Sequence, residues 1–177
     1  MNVAEEKKQN NISEYIIHMY QTEDLIRAFD FDMELIKQYV LKHIPGDQDQ
    51  QASLTKWYGD ILDAMKSEDI VQQGHLSSIQ KYVDELSDLK DKLLEEDEDF
   101  IKAYNNAKSH IDEMIGLSNG MITSEVQICL NGIYGLLLAR IQGREVPEDI
   151  MKSIETFGDV LSYLSFKYNQ RDFMKEN

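Results

Sequence analysis

An all-α fold is predicted by three observations. Apolar residues recur at helical spacing along nearly the whole chain. The breakers are few, two prolines and nine glycines, and they fall mostly between the periodic segments. No sustained strand-like alternation occurs anywhere. With 177 residues, the chain fits one domain, read here as 1–177. It is long enough to bury a core without a metal or disulfide.

The first helix carries Ile12, Ile16, Met19 and Ile26 on one stripe, flanked by Tyr15, Leu25 and Phe29. Asp30 or Asp32 is placed to cap a short second helix with Ile36, Tyr39, Val40 and His43. Pro45-Gly46 ends it, and the polar run 47–51 reads as a loop. A third helix places Leu54, Trp57, Tyr58, Ile61 and Met65 inward. Gly74 separates it from a fourth with Leu76, Ile79, Val83, Leu86, Leu89 and Leu93. Asp97 or Asp99 opens a fifth, with Phe100, Tyr104, Ala107, Ile111 and Met114 inward.

Ser124, with Gln127 three residues on, has the pattern of a capping box and starts the sixth helix. Gly143 is its expected stop, and Pro147 suits the first turn of a seventh. That last helix has the stripe Ile150, Ile154, Phe157, Leu161, Leu164, Tyr168. The expected architecture is a bundle of six or seven helices around one central helix, 124–142. The segment 126–141 is chosen as central because it is apolar almost all round. It also holds two glycines inside the helix. Gly132, Gly135 and Ala139 form a small-residue groove, in which each glycine costs about 1 kcal/mol relative to alanine. A closely packed neighbouring helix would compensate, and so would a bound ligand.

Charge excludes one class of partner. The formal net charge is −15, from 33 acids against 18 bases. Nucleic-acid binding draws its affinity from Lys and Arg neutralising phosphates, and no basic cluster exists here. The densest run has nine acids between Asp84 and Asp99 against Lys90 and Lys92, the pattern of a solvated helix face leading into an acidic first turn. The longest apolar stretch, Ile133–Ala139, is far short of the roughly 20 residues of a membrane span. The opening residues show no secretory pattern. The lone Cys129, inside an apolar run, fits a reducing compartment, so a cytoplasmic protein is expected.

Two charges stand where apolar residues are expected. Glu23 continues the stripe of the first helix, and Arg140 continues Ile133 and Leu137 of the sixth. A buried charge must be paired and hydrogen-bonded, and Arg27 is a same-helix partner for Glu23. Glu23, Arg27 and Arg140 are therefore expected to form an internal cluster between these helices, setting helix register or receiving an anionic ligand.

Catalytic signatures are missing. His18, His43, His75 and His110 lie on separate elements, without the HExxH or Glu-x-x-His spacing of metal sites. His43 and His110 read as core-edge residues. No metal or cofactor is expected. No Arg is followed by His in the manner of toxin-type helical ribonucleases, and no Asp-Asp-x-x-Asp motif or phosphate-binding loop occurs. Glu85-x-x-Asp88 and Glu96-x-x-Asp99 partly match pyrophosphohydrolase motifs but lie in one stretch without a matching pair.

The segments 14–29, Gly74-His75-Leu76, Tyr134 to Arg140 and Leu161 to Tyr168 resemble a family of uncharacterised bacterial helical proteins, a domain of unknown function. The resemblance spans nearly the whole chain and implies one intact domain, with no activity or site residue attached. The preferred reading is a non-enzymatic interaction or scaffold protein, binding another protein or itself. The alternative is a small-molecule-binding protein or enzyme with a pocket near the Gly132/Gly135 groove and Arg140.

Overall fold

The computed structural model describes the backbone of residues 3–175 and side chains as far as Arg171. Among the described residues there are eight α-helices and no strands, forming a single all-α domain. They are α1 (Val3–Asn10), α2 (Ile12–Ala28), α3 (Met33–Tyr39), α4 (Gln48–Ser67), α5 (Ser77–Glu96), α6 (Glu98–Leu117), α7 (Glu125–Ile141) and α8 (Glu148–Lys175), with a 3-10 turn at Leu41–His43. Seven correspond to the apolar stripes. The eighth, α1, is almost wholly polar and buries only Ala4. It has no periodic signal to read.

Side-chain caps set most of the helix starts. Asn11 accepts Glu14 N–H for α2, Asp32 accepts Glu34 and Leu35 N–H for α3, and Asp97 accepts Phe100 N–H for α6. Asp30, the other candidate cap, sits with Phe31 in the left-handed region and reverses the chain between α2 and α3. The polar run 47–51 is not a loop. Asp47 and Gln50 form a reciprocal capping box, so α4 begins there.

The stripes of α5 and α8 are buried as their spacing requires, from Ile79 to Leu93 and from Ile154 to Tyr168. In α3 the pattern misleads. Ile36 is buried, but Tyr39 and His43 are exposed because the helix is one short excursion with a narrow inner face. Burying each large core side chain contributes about 1.5–3 kcal/mol. α8 runs antiparallel to α2, joined by Ser165 Oγ to Ser13 Oγ at 2.7 Å and by Asn169 to the carbonyl of Asn10 at 2.6 Å. It also packs on α5, α6 and α7.

The acidic run is a mainly solvated face, as expected, but two of its members reach α8. Asp97 accepts Tyr163 Oη (2.7 Å) and pairs with Lys167 (3.0 Å); Glu85 accepts Tyr168 Oη (2.5 Å).

α7 departs most from expectation. Its first half is central: Val126, Ile128, Cys129 and Leu130 are buried. The second half is not. Leu136, Leu137 and Leu138 are only partly buried and lie outside the core cluster, and Ile141 is 61% exposed. An apolar helix surface carries no direction, so the sequence alone could not show where α7 leaves the core.

Candidate functional site

Glu23 is fully buried on α2 and faces the start of α5. The residue preceding that helix is Leu76, whose side chain offers no acceptor. Glu23 supplies one from 53 residues away, its Oε1 accepting Leu76 N–H at 3.0 Å. Its Oε2 accepts His75 Nδ1–H at 2.6 Å, and the imidazole stacks on Tyr20 with ring centres 3.6 Å apart. Glu68, at the end of α4, takes Ser77 N–H at 2.7 Å and its hydroxyl at 2.9 Å. Two outside carboxylates thus serve the positive end of α5, where negative charge is favoured.

One helical turn on, Arg27 pairs with Asp24 at 2.9 Å and donates to the carbonyls of Ile70 (3.0 Å) and Gly74 (2.5 Å). Its Nε is buried without a hydrogen-bond acceptor. Glu23 and Arg27 stand one turn apart on α2 but are not bonded to each other; Glu23 takes His75 and Arg27 takes Asp24. Both grip the α4–α5 connection from α2, and Gly74 takes the left-handed backbone that the connection needs.

α7 contributes to this cluster, though not through Arg140. Gln127, Asn131 and Tyr134, spaced i, i+4, i+7, form a polar line toward α2. Gln127 Nε2 donates to Tyr20 Oη (3.0 Å) and Asn131 Oδ1 (2.8 Å); Tyr134 Oη donates to Asp24 at 2.7 Å. Burial raises the Tyr20 and Tyr134 phenols above their ordinary range, and the hydrogen bond to Asp24 raises Tyr134 further. Both remain neutral donors. The signal for this line was present in the sequence as polar residues at helical spacing inside an apolar run. Arg140 is exposed and forms no ion pair among the described residues, so it stands outside the cluster, in which α2 grips the α4–α5 connection and α7 braces α2.

A carboxylate oriented against an imidazole is half of a nucleophile-activating triad. Here one carboxylate oxygen holds His75 and the other the Leu76 amide, and among the described residues no hydroxyl or thiol bonds to His75. The Cys129 thiol is buried and pushed up to about 12 by that burial. His110 meets Ser153 Oγ at 3.0 Å and His18 stacks on Trp57. Among the described residues no group of His, Cys, Asp or Glu is placed to hold a metal ion.

A second polar cluster pins the start of α7. Glu125 binds Lys90 and accepts Tyr104 Oη at 2.8 Å, beside a shallow cleft lined by Asp84, Ser87, Asp88 and Thr123. Burial opposes ionisation of Glu125, but the Lys90 and Tyr104 hydrogen bonds outweigh it and hold its carboxyl below the usual range. Its partners satisfy it internally.

The small-residue groove divides in two. A Cβ at Gly132 would stand 2.6 Å from Phe157 Cδ2, so α8 fills that position with a buried ring. Nothing lies within 4 Å of a Cβ at Gly135. From Gly135 onward α7 presents Leu136 to Leu138 and Ile141 partly or largely to solvent, with Ile150 of α8 beside its end at 36% exposure. Arg144, like Arg140, is exposed and forms no ion pair among the described residues. No helix among the described residues is long and apolar enough to cross a membrane.

A family described as a domain of unknown function, DUF4924, matches residues 1–174. No curated protein and no solved structure matches the chain.

Proposed function

The chain belongs to that DUF4924 family, and from this footing we propose that it is a non-enzymatic interaction protein that docks a partner through the outer half of α7. The observation that carries the reading is the partly buried run Leu136–Leu138 leading to the exposed Ile141, apolar residues lying outside the core cluster on a well-formed helix. Isolated exposed apolar residues are ordinary, but a contiguous set on one helix end marks an interaction surface. The polar clusters support the same reading by their closure. The Glu23 and Glu125 carboxylates are satisfied by protein groups, and Phe157 occupies the inner part of the groove. A cytoplasmic setting, supported by the single buried Cys129, completes the proposal.

The test is a photo-crosslinking amino acid placed at Ile141 in cells producing the protein, with Leu117 as control. Leu117 is 67% exposed and lies on a different helix, α6. A discrete protein adduct from position 141 and not from 117 is expected. No adduct at 141, or the same adducts from both positions, would sink the reading.

A further inference from the structure

We propose that the occupant of this face is a second copy of the chain; the inference rests on the docking reading above and names its partner. The first argument is charge. In a protein of net charge −15, two copies repel unless they meet where acids are absent. Residues 126–144 contain no Asp or Glu, the longest such stretch in the sequence, and the partly exposed apolar half of α7 lies within it. The second argument is the rim. Arg140 and Arg144 are exposed and unpaired among the described residues, and so are the neighbouring carboxylates of Glu145 and Asp149. A two-fold contact repeats the same patch on both sides, so each copy offers cations and anions to the other's opposite set. The third is shape. Gly135 is open to at least 4 Å beyond its Cβ position, and Ala139 follows one turn later. That step lets an equivalent helix cross closely. Stable contacts bury about 800 Å² per partner, more than one helix end supplies, so the first turns of α8 with Ile150 belong to the same face.

Sedimentation velocity on the purified full chain, from about 1 µM to about 100 µM, brackets the micromolar affinities of reversible self-association. The mass is expected to rise from 20.6 kDa toward twice that value with concentration. Ile141→Glu and Ile141→Lys are expected to weaken association by at least about tenfold. The lysine variant guards against a folding artefact, because a cation at a helix C-terminus is favoured by the dipole. Both should keep the wild-type circular dichroism and unfolding profile at concentrations where wild type is monomeric. A wild type that stays monomeric throughout, or variants that associate like wild type, would overturn the inference. A monomeric wild type whose position 141 still crosslinks a different protein would overturn self-association alone and leave the docking reading standing.

Discussion

Glu23 caps a helix to which it does not belong. Its Oε1 lies 3.0 Å from the amide nitrogen of Leu76, the residue that opens α5. The carboxylate is completely buried, so it holds the α2–α5 junction only while both oxygens keep their partners.

Replacing Glu23 with alanine removes the acceptor for Leu76 N–H and for His75 at once. Leaving those groups unmet is expected to lower stability by about 3 kcal/mol, read as a fall in urea midpoint with unchanged slope. Glu23→Gln keeps an acceptor oxygen for Leu76 and should lose less. Loss below about 0.5 kcal/mol for the alanine variant would contradict the capping role.

The two glycines of α7 predict opposite outcomes for one substitution. Gly132→Ala drives a methyl to 2.6 Å from Phe157 Cδ2, and that ring is buried and cannot swing away. A net destabilisation of about 1–2 kcal/mol is expected after the gain in helix propensity. Gly135→Ala meets nothing and should stabilise the monomer by up to about 1 kcal/mol. Thermal unfolding of both variants at low protein concentration decides it.

Asp97 makes stability depend on acid in a defined window. The Phe100 amide, the Tyr163 hydroxyl and Lys167 hold its carboxyl at about 2, below the ordinary 3.8. A depressed folded-state value means that the ionised form favours folding. The contribution is complete above about 3.8 and disappears as pH falls through about 2. Asp97→Asn should therefore be less stable than wild type near neutrality, and the gap should close toward pH 2. A gap that stays constant with pH would contradict this.

Cys129 offers a reporter of opening. Its thiol is buried and raised to about 12, so almost none is thiolate at neutral pH. A thiol-specific reagent should react at the rate of global unfolding and accelerate in parallel with every destabilising variant above. Immediate labelling of the folded protein would show that the first half of α7 is not the enclosed element described here.

Most of the architecture was legible because its signal is local. The stripes of α5 and α8 repeat at the helical period, and Asp97 and Ser124 announce their helices by residue type and spacing. Glu23 was also legible as a charge on an apolar stripe. Its partners were not, because a same-helix rule nominates Arg27 whereas His75 stands 52 residues away on a loop. Arg140 was misplaced for a different reason. It continues a real stripe on a helix that is apolar on every side, and such a helix gives no sign of the residue at which its neighbours end. α1 was invisible because it is held by one buried alanine and little else apolar.

The place of α8 has a consequence for synthesis. It packs against α2, α5, α6 and α7, and its far end closes on the start of α2 across 152 residues. Seven helices therefore leave the ribosome before the element on which four of them pack. Until α8 arrives, the inner stripes of α5 and α6 and the ring-filled position at Gly132 stand open, and short-range helix formation cannot close them. Such long-range closure slows folding and leaves apolar surface available to nascent neighbours or chaperones. Stalled chains ending before Glu148 should then be held by chaperones, and release should coincide with the emergence of Phe157 and Leu164.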